Sequence, residues 1–267
     1  PSYLEKLKTL IAGGNMPDII DIDATPYCQE LVDAGYLVDM NTWLKDNSIY
    51  DSFLPISLAY QEFTDGDLYT LPMELNAEMI WYNKEIFEKC GITKTPSSLN
   101  EWLDDCEIIK NAGYTPISVD GIDRWPVLRY LAMAPYAETG NDYAIKLANG
   151  EVSMGDETGL KGLDFYTKIG QYFQDGFATT DYAAAQSMFI NGESAMYYIG
   201  TWEFAAMNDL YNEGKIDYFF MPKSIDGEGD GKPYCVNSGI GMAFNSETFD
   251  EKSADFIKYV IENYGAM

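Results

Sequence analysis

The sequence predicts a layered α/β fold, and three observations predict it. Short runs rich in Ile, Val, Met and Tyr alternate with longer stretches of helical periodicity, glycines punctuate the ends of those stretches, and no repeat interrupts the alternation. Each short strand followed by a helix buries one face on the next layer.

The elements follow in order. Leu4, Leu7, Leu10 and Ile11 stand at helical spacing, and Gly13-Gly14 ends that helix. Residues 17–22 read as a short buried strand, and a second helix runs from Pro26 to Gly35, with looser helical pattern through Trp43 and Leu58. Asp65-Gly66 is a hairpin signal between Phe63 and an expected strand at 67–71, followed by an extended run at 77–82 that Asn83-Lys84 ends. A helix closing at Cys90-Gly91 precedes a capping box, Ser98-Leu99-Asn100-Glu101, which opens a helix carrying Trp102, Leu103, Cys106 and Ile109 and ending at Gly113. Residues 116–119 form an expected strand that leads into a helix with Trp125, Leu128 and Leu131. Helices are then expected at 157–173, 183–191, 202–212 and 250–263, and strands at 195–199, 217–220 and 240–244.

A chain of 267 residues can bury roughly three quarters of its unfolded surface, so it needs no staples. Seventeen Lys and Arg against 43 Asp and Glu give a net charge of −26, which repels phosphate backbones and anionic headgroups and excludes nucleic acid as a partner. The absence of His removes Ser-His-Asp and Cys-His catalysis and His-based zinc sites. Cys28, Cys90, Cys106 and Cys235 show no metal-binding spacing and read as free thiols, with a Cys90 to Cys106 bridge the one pairing considered. No run reaches the ~18 apolar residues of a membrane helix.

Four patterns offer chemistry. Asp226, Glu228, Asp230 and Gly231 match the start of a calcium loop, but Asn237 stands where the bidentate Glu belongs, so a solvated hairpin loop is expected. Tyr197-Tyr198 could hold ferric iron, yet successive strand side chains diverge, and one core and one surface tyrosine are expected instead. Glu74, Glu78, Asp120 and Glu203 could supply the two carboxylates, about 5 to 9 Å apart, of a glycoside hydrolase, although no local signature marks a nucleophile or acid. Trp125 and Trp202 begin predicted helices just after strand-like runs, where α/β sheets present their ligand crevice. A flat apolar ring there suits the C–H face of a pyranose.

Taken together, several blocks resemble the family 1 extracellular solute-binding proteins, of the maltose-binding type. They are Met16-Pro17-Asp18-Ile19-Ile20 with Gly35-Tyr36-Leu37, Asp67-Leu68-Tyr69-Thr70-Leu71-Pro72 with Tyr82-Asn83-Lys84, and the stretch from Thr95 to Trp102. The most specific runs from Asp181-Tyr182 through Phe189, Asn191-Gly192 and Ala195-Met196 to Gly200-Thr201-Trp202. The resemblance covers nearly the whole chain. It implies a two-lobed periplasmic-binding-protein-like fold of type II, truncated at both ends, with residues 1–115 in lobe one, 116–238 in lobe two and 239–267 returning to lobe one. It implies capture of a mono- or oligosaccharide by hinge closure, without chemistry or cofactor, by a monomeric extracytoplasmic subunit that serves the membrane permease of an ABC importer. Iron or another solute in the same fold is the alternative. By position, the resemblance assigns the pocket to Asp23, Asn76, Asp120, Arg124, Trp125 and above all Trp202, with Glu74, Glu203 and Asn237 placed by their loops. Residues 189–196 are expected to be scaffold.

Overall fold

The computed structural model describes residues 3–63, 66–229 and 235–264. Asp65 of the expected hairpin and Asp230 and Gly231 of the acidic loop lie outside them. The chain forms two compact units, one of Pro1–Asn76 with Asn237–Met267 and one of Ala77–Val236.

The first unit begins with helix α1 (Tyr3–Ala12), strand β1 (Ile19–Ile22), α2 (Pro26–Asp33), α3 (Met40–Asp46), α4 (Pro55–Gln61) and strand β2 (Leu71–Pro72). The second contains β3 (Asn76–Asn83, whose first residue belongs to the first unit), α5 (Lys84–Lys89), α6 (Leu99–Asn111), β4 (Thr115–Ser118), α7 (Trp125–Thr139), α8 (Asp142–Ala148), α9 (Glu157–Ile169), α10 (Tyr182–Ile190), β5 (Ser194–Gly200), α11 (Phe204–Asn212) and β6 (Ile216–Phe219). The chain returns through β7 (Val236–Asn237) to β8 (Gly241–Phe244) and α12 (Glu251–Asn263).

In the first unit, β8 lies between β1 and β2 and is antiparallel to both, with Ile20 opposite Ala243 and Leu71 opposite Met242. Alternation sends Ile20, Ile22 and Ala243 into a core with Leu7, Cys28 and Leu31, while Phe244 joins Met40, Leu44, Leu58 and Ile257. The strand expected at 67–71 shrinks to two residues because the Leu68 carbonyl accepts the Met40 and Asn41 N–H groups at the start of α3. A backbone acceptor spent on a helix end is not free for a ladder.

In the second unit the sheet order is β4-β5-β3-β6, with β7 paired to β3. Met79, Trp81, Tyr197 and Ile199 pack with Ala185, Phe189 and Met207, and their strand neighbours Ile80, Met196 and Tyr198 pack with Trp102, Tyr130 and Ile169. Apolar cores on both faces correct the expectation for Tyr197-Tyr198: the two point opposite ways, yet both are buried. Phe189 stacks on Tyr197 and Gly192 ends α10 at φ 74°, so this block packs and caps.

The first boundary falls at Asn76/Ala77, earlier than the crossing expected near Thr115. The strand taken for that crossing, β4, pairs in parallel with β5 inside the second unit, from Thr115 opposite Ser194 to Ser118 opposite Tyr197. The return at Val236/Asn237 lies beside the expected one. The α-helix expected at 157–173 stops at Ile169 and passes into a 3-10 turn at Gly170–Tyr172; the chain becomes extended at Phe173, which bridges Ile117, and Gln174 N–H reaches the Ile117 carbonyl. One of the two bonds of the capping box forms as expected and the reciprocal one is shifted by one residue. Ser98 Oγ accepts the Glu101 N–H at 3.1 Å, while the Glu101 carboxylate reaches back to the N–H and hydroxyl of Ser97. All four cysteines are free, Cys28 and Cys106 buried and the others half-buried.

Candidate functional site

In the second unit, the loop after β4 with the start of α7, and the turn after β5, carry five of the sequence-predicted residues: Asp120, Arg124, Trp125, Trp202 and Glu203. β5 ends at Gly200, and residues 201–203 form one 3-10 turn before α11, instead of the helix expected to start at Trp202. The Trp202 ring lies on Gly200, where any Cβ would interpenetrate it. Thr201 Oγ1 accepts the Ala77 N–H at 3.3 Å and ties the turn to β3.

Trp125 faces this turn from the first residue of α7. Its ring centroid lies 5.9 Å from that of Trp202 at 64°, and 6.5 Å from that of Tyr182 at 36°. Both tryptophans are half-buried. The Arg129 guanidinium stands 5.7 Å from the Trp125 ring centroid and is paired at 2.9 Å with the buried carboxylate of Glu78. A guanidinium over an indole adds electrostatic attraction to the packing.

Beside the rings runs a chain of hydrogen bonds. Trp202 Nε1–H donates to the Tyr182 hydroxyl at 2.8 Å, the hydroxyl donates to Glu203 Oε1, and Gln186 Nε2–H donates to Glu203 Oε2. Burial first, then the Glu203 carboxylate, pushes the Tyr182 phenol far above its ordinary range. Tyr197 is pushed up more strongly, by burial and then by Tyr182, Glu203 and Asp120.

Asp120 lies on the loop between β4 and α7, five residues before Trp125. It is 1% exposed, its Oδ1 accepts the Asp123 N–H at 3.1 Å, and its Oδ2 has no partner among the described residues. Burial raises its carboxyl above the usual carboxylate value. An unsatisfied buried oxygen is a place where a hydroxyl donor gains most. Arg124 follows at φ 68°, a left-handed conformation that costs a non-glycine residue on the order of 1 kcal/mol, and it holds the turn that starts α7. Gly121 permits that turn to press on Phe177 and Ala178, since a Cβ would lie 2.8 Å from the Ala178 Cα.

The first unit holds the other four predicted residues. Glu74 packs its carboxylate against Gly239, whose φ is 61° and whose N–H donates to Asn237 Oδ1 at 2.9 Å. Asn76 and Asn237 are both 5% exposed. Asp23 sits on a different loop, between β1 and α2, where its carbonyl accepts the Thr25 N–H. Sequence reasoning missed a buried polar knot beside Gly239: Gln61, fully buried, donates to the Gly239 carbonyl at 3.2 Å and accepts from Thr70 Oγ1 at 2.7 Å. It also missed Tyr182 and Gln186, which were placed only within a family block and a helix. A Tyr and a Gln four residues apart on one helix face are the signal that could have found them.

No group of three or more Cys, Asp and Glu side chains among the described residues could hold a metal ion, and Glu78 and Glu203 are each engaged by a protein partner. Two α/β units with this topology form the type II fold of solute-binding proteins. A family model for bacterial extracellular solute-binding proteins matches residues 1–266, and the chain belongs to that family. It is 28% identical over 222 residues to an ABC transporter extracellular-binding protein of Pyrococcus horikoshii, which covers 81% of this chain and 49% of the relative. It is 26% identical over 267 residues, 95% of this chain and 60% of the relative, to the multiple sugar-binding protein of Streptococcus mutans. Among solved structures, a chitin oligosaccharide binding protein matches with a TM-score of 0.79 at 26% identity, over 97% of this chain and 64% of that one. The chain thus spans about half to two thirds of the length of these relatives. Among the described residues no helix is long and apolar enough to cross a membrane.

Proposed function

We propose that this chain is the carbohydrate-capturing part of an extracytoplasmic ABC-importer subunit, and that it holds a mono- or oligosaccharide without changing it. The observation that carries the reading is the pair Trp125 and Trp202, two half-buried indoles 5.9 Å apart, with the buried, partly unsatisfied carboxylate of Asp120 on the loop that leads into Trp125. A pyranose has an apolar C–H face for the rings and hydroxyls that donate to a carboxylate, and charge-assisted bonds of this kind are strong in a partly dry site.

In this reading Asp23, Glu74, Asn76 and Asn237 of the first unit are further candidate sugar contacts, since carboxylate and amide groups bond hydroxyls, and capture proceeds by hinge closure. The names of the relatives support the substrate class, since one is a multiple sugar-binding protein and another binds chitin oligosaccharide. Hydrolysis is less well supported than capture. Glu203 is hydrogen bonded through both oxygens and Glu78 is ion-paired, which leaves neither as a free acid or nucleophile.

A thermal-shift series against a saccharide panel tests this. A bound sugar at 100 times its dissociation constant adds about 2.7 kcal/mol of stability, and chromatography of the recovered sugar returns it intact. No shift with any saccharide, or a cleaved product, would overturn the reading.

A further inference from the structure

We propose that Tyr182, Gln186 and Glu203 are positioning residues that lock the Trp202 ring and withdraw its one polar atom from ligand recognition. Trp202 then meets a ligand with its ring surface and never through its N–H.

The direction of each hydrogen bond follows from what the groups can do. An indole nitrogen only donates, a phenol both accepts and donates, and an ionised carboxylate only accepts. The arrangement therefore runs one way, from Trp202 Nε1–H to Tyr182 and on to Glu203 Oε1, while Gln186 occupies Oε2. Glu203 is 7% exposed, so these bonds form away from bulk water and their loss is not made good by solvent. Tyr182 and Gln186 stand four residues apart on α10, so one rigid helix presents both donors.

Three further contacts fix the ring's plane. Gly200 supplies a seat without a side chain, Trp125 packs against one edge at 64°, and the 3-10 turn that carries Trp202 is tied to β3 through Thr201. A ring held by these contacts is preorganised, and preorganisation lowers the ordering cost of binding. The specificity that follows is for ligands with a flat apolar face, with hydroxyl recognition left to other groups such as Asp120. The inference rests on the saccharide reading for its affinity arm alone.

The test uses the whole chain labelled with 15N at its five tryptophans. The Trp202 indole resonance, assigned from Trp202→Phe, is expected to show slow solvent exchange in the ligand-free protein, and Tyr182→Phe to shift it and speed its exchange. With chitotriose or maltotriose, whichever binds, Tyr182→Phe and Glu203→Ala are expected to weaken affinity roughly 5- to 10-fold, the scale of one or two lost hydrogen bonds. Glu203→Gln, which still accepts from Tyr182, stays within about twofold of wild type by the same reckoning, and thermal unfolding reports that each variant is folded. An indole resonance unmoved by Tyr182→Phe overturns the lock, and wild-type affinity in a Tyr182→Phe chain whose resonance has moved overturns its role in recognition. If neither saccharide binds the wild type, the proposed function fails while the ligand-free spectra still decide the lock.

Discussion

The indole of Trp202 rests on the bare backbone of Gly200, two residues before it in the chain, in space that a methyl group would fill. Gly200→Ala is therefore expected to displace the ring, although Gly200 has an extended backbone that alanine adopts freely. Saccharide affinity should fall at least tenfold, the scale of about 1.4 kcal/mol, while far-ultraviolet circular dichroism stays unchanged. Titration of the variant with the best-binding sugar checks this.

The pair Glu78 and Arg129 is unequal in exposure, with the carboxylate at 1% and the guanidinium side chain at 33%. Removing the cation takes the ion-pair partner from a buried carboxylate, so Arg129→Ala is expected to cost about 3–5 kcal/mol. The change also uncovers the Trp125 ring. Urea unfolding of wild type and variant measures the first effect and tryptophan fluorescence the second.

Close approach of α7 and α9 depends on glycine. A Cβ on Gly162 would stand 2.6 Å from the Leu131 carbonyl and 2.9 Å from the Pro135 ring, and neither backbone nor ring can swing away. Gly162→Ala should cost roughly 1–3 kcal/mol by overpacking. The midpoint of urea unfolding reads it, and sugar affinity should stay unaltered.

Asp105 on α6 is raised from the usual carboxylate range to about 7, chiefly by burial and then by Glu101 and Asp104, with Lys94 opposing. The folded state holds this proton more tightly than the unfolded one, so protonation favours folding. Its contribution is fully present below about 4, the ordinary Asp value, and is lost as pH rises to about 7. Asp105→Asn should therefore raise the melting temperature at pH 8 and leave it nearly unchanged at pH 4. Equal shifts at both values would contradict the assignment.

The Ser98 cap was legible because it is local: its side chain accepts an N–H three residues on, whatever surrounds it, and Asp156, Asp181 and Asp250 cap later helices by the same kind of bond. β2 was misjudged because the Leu68 carbonyl has two possible uses, and only packing against α3 chooses between them. The first boundary was misplaced because β4 reads as a strand in either unit. Its partner β5 lies far along the sequence and no local signal names it.

Within the site the same division holds. By itself the sequence determined an acidic chain without histidine, the alternation of strands and helices, the family, and Trp125 and Trp202 at the mouths of helices, because composition and periodicity are written residue by residue. Tertiary structure alone decided that Tyr182 and Gln186 turn Glu203 into a brace, and that Gly200 is the seat of the ring. Hydrogen bonds between residues 17 to 21 positions apart depend on how α10 docks against the end of β5. That docking is set by the shared burial of Ala185, Phe189, Tyr197 and Met207, and no one of these residues specifies it alone.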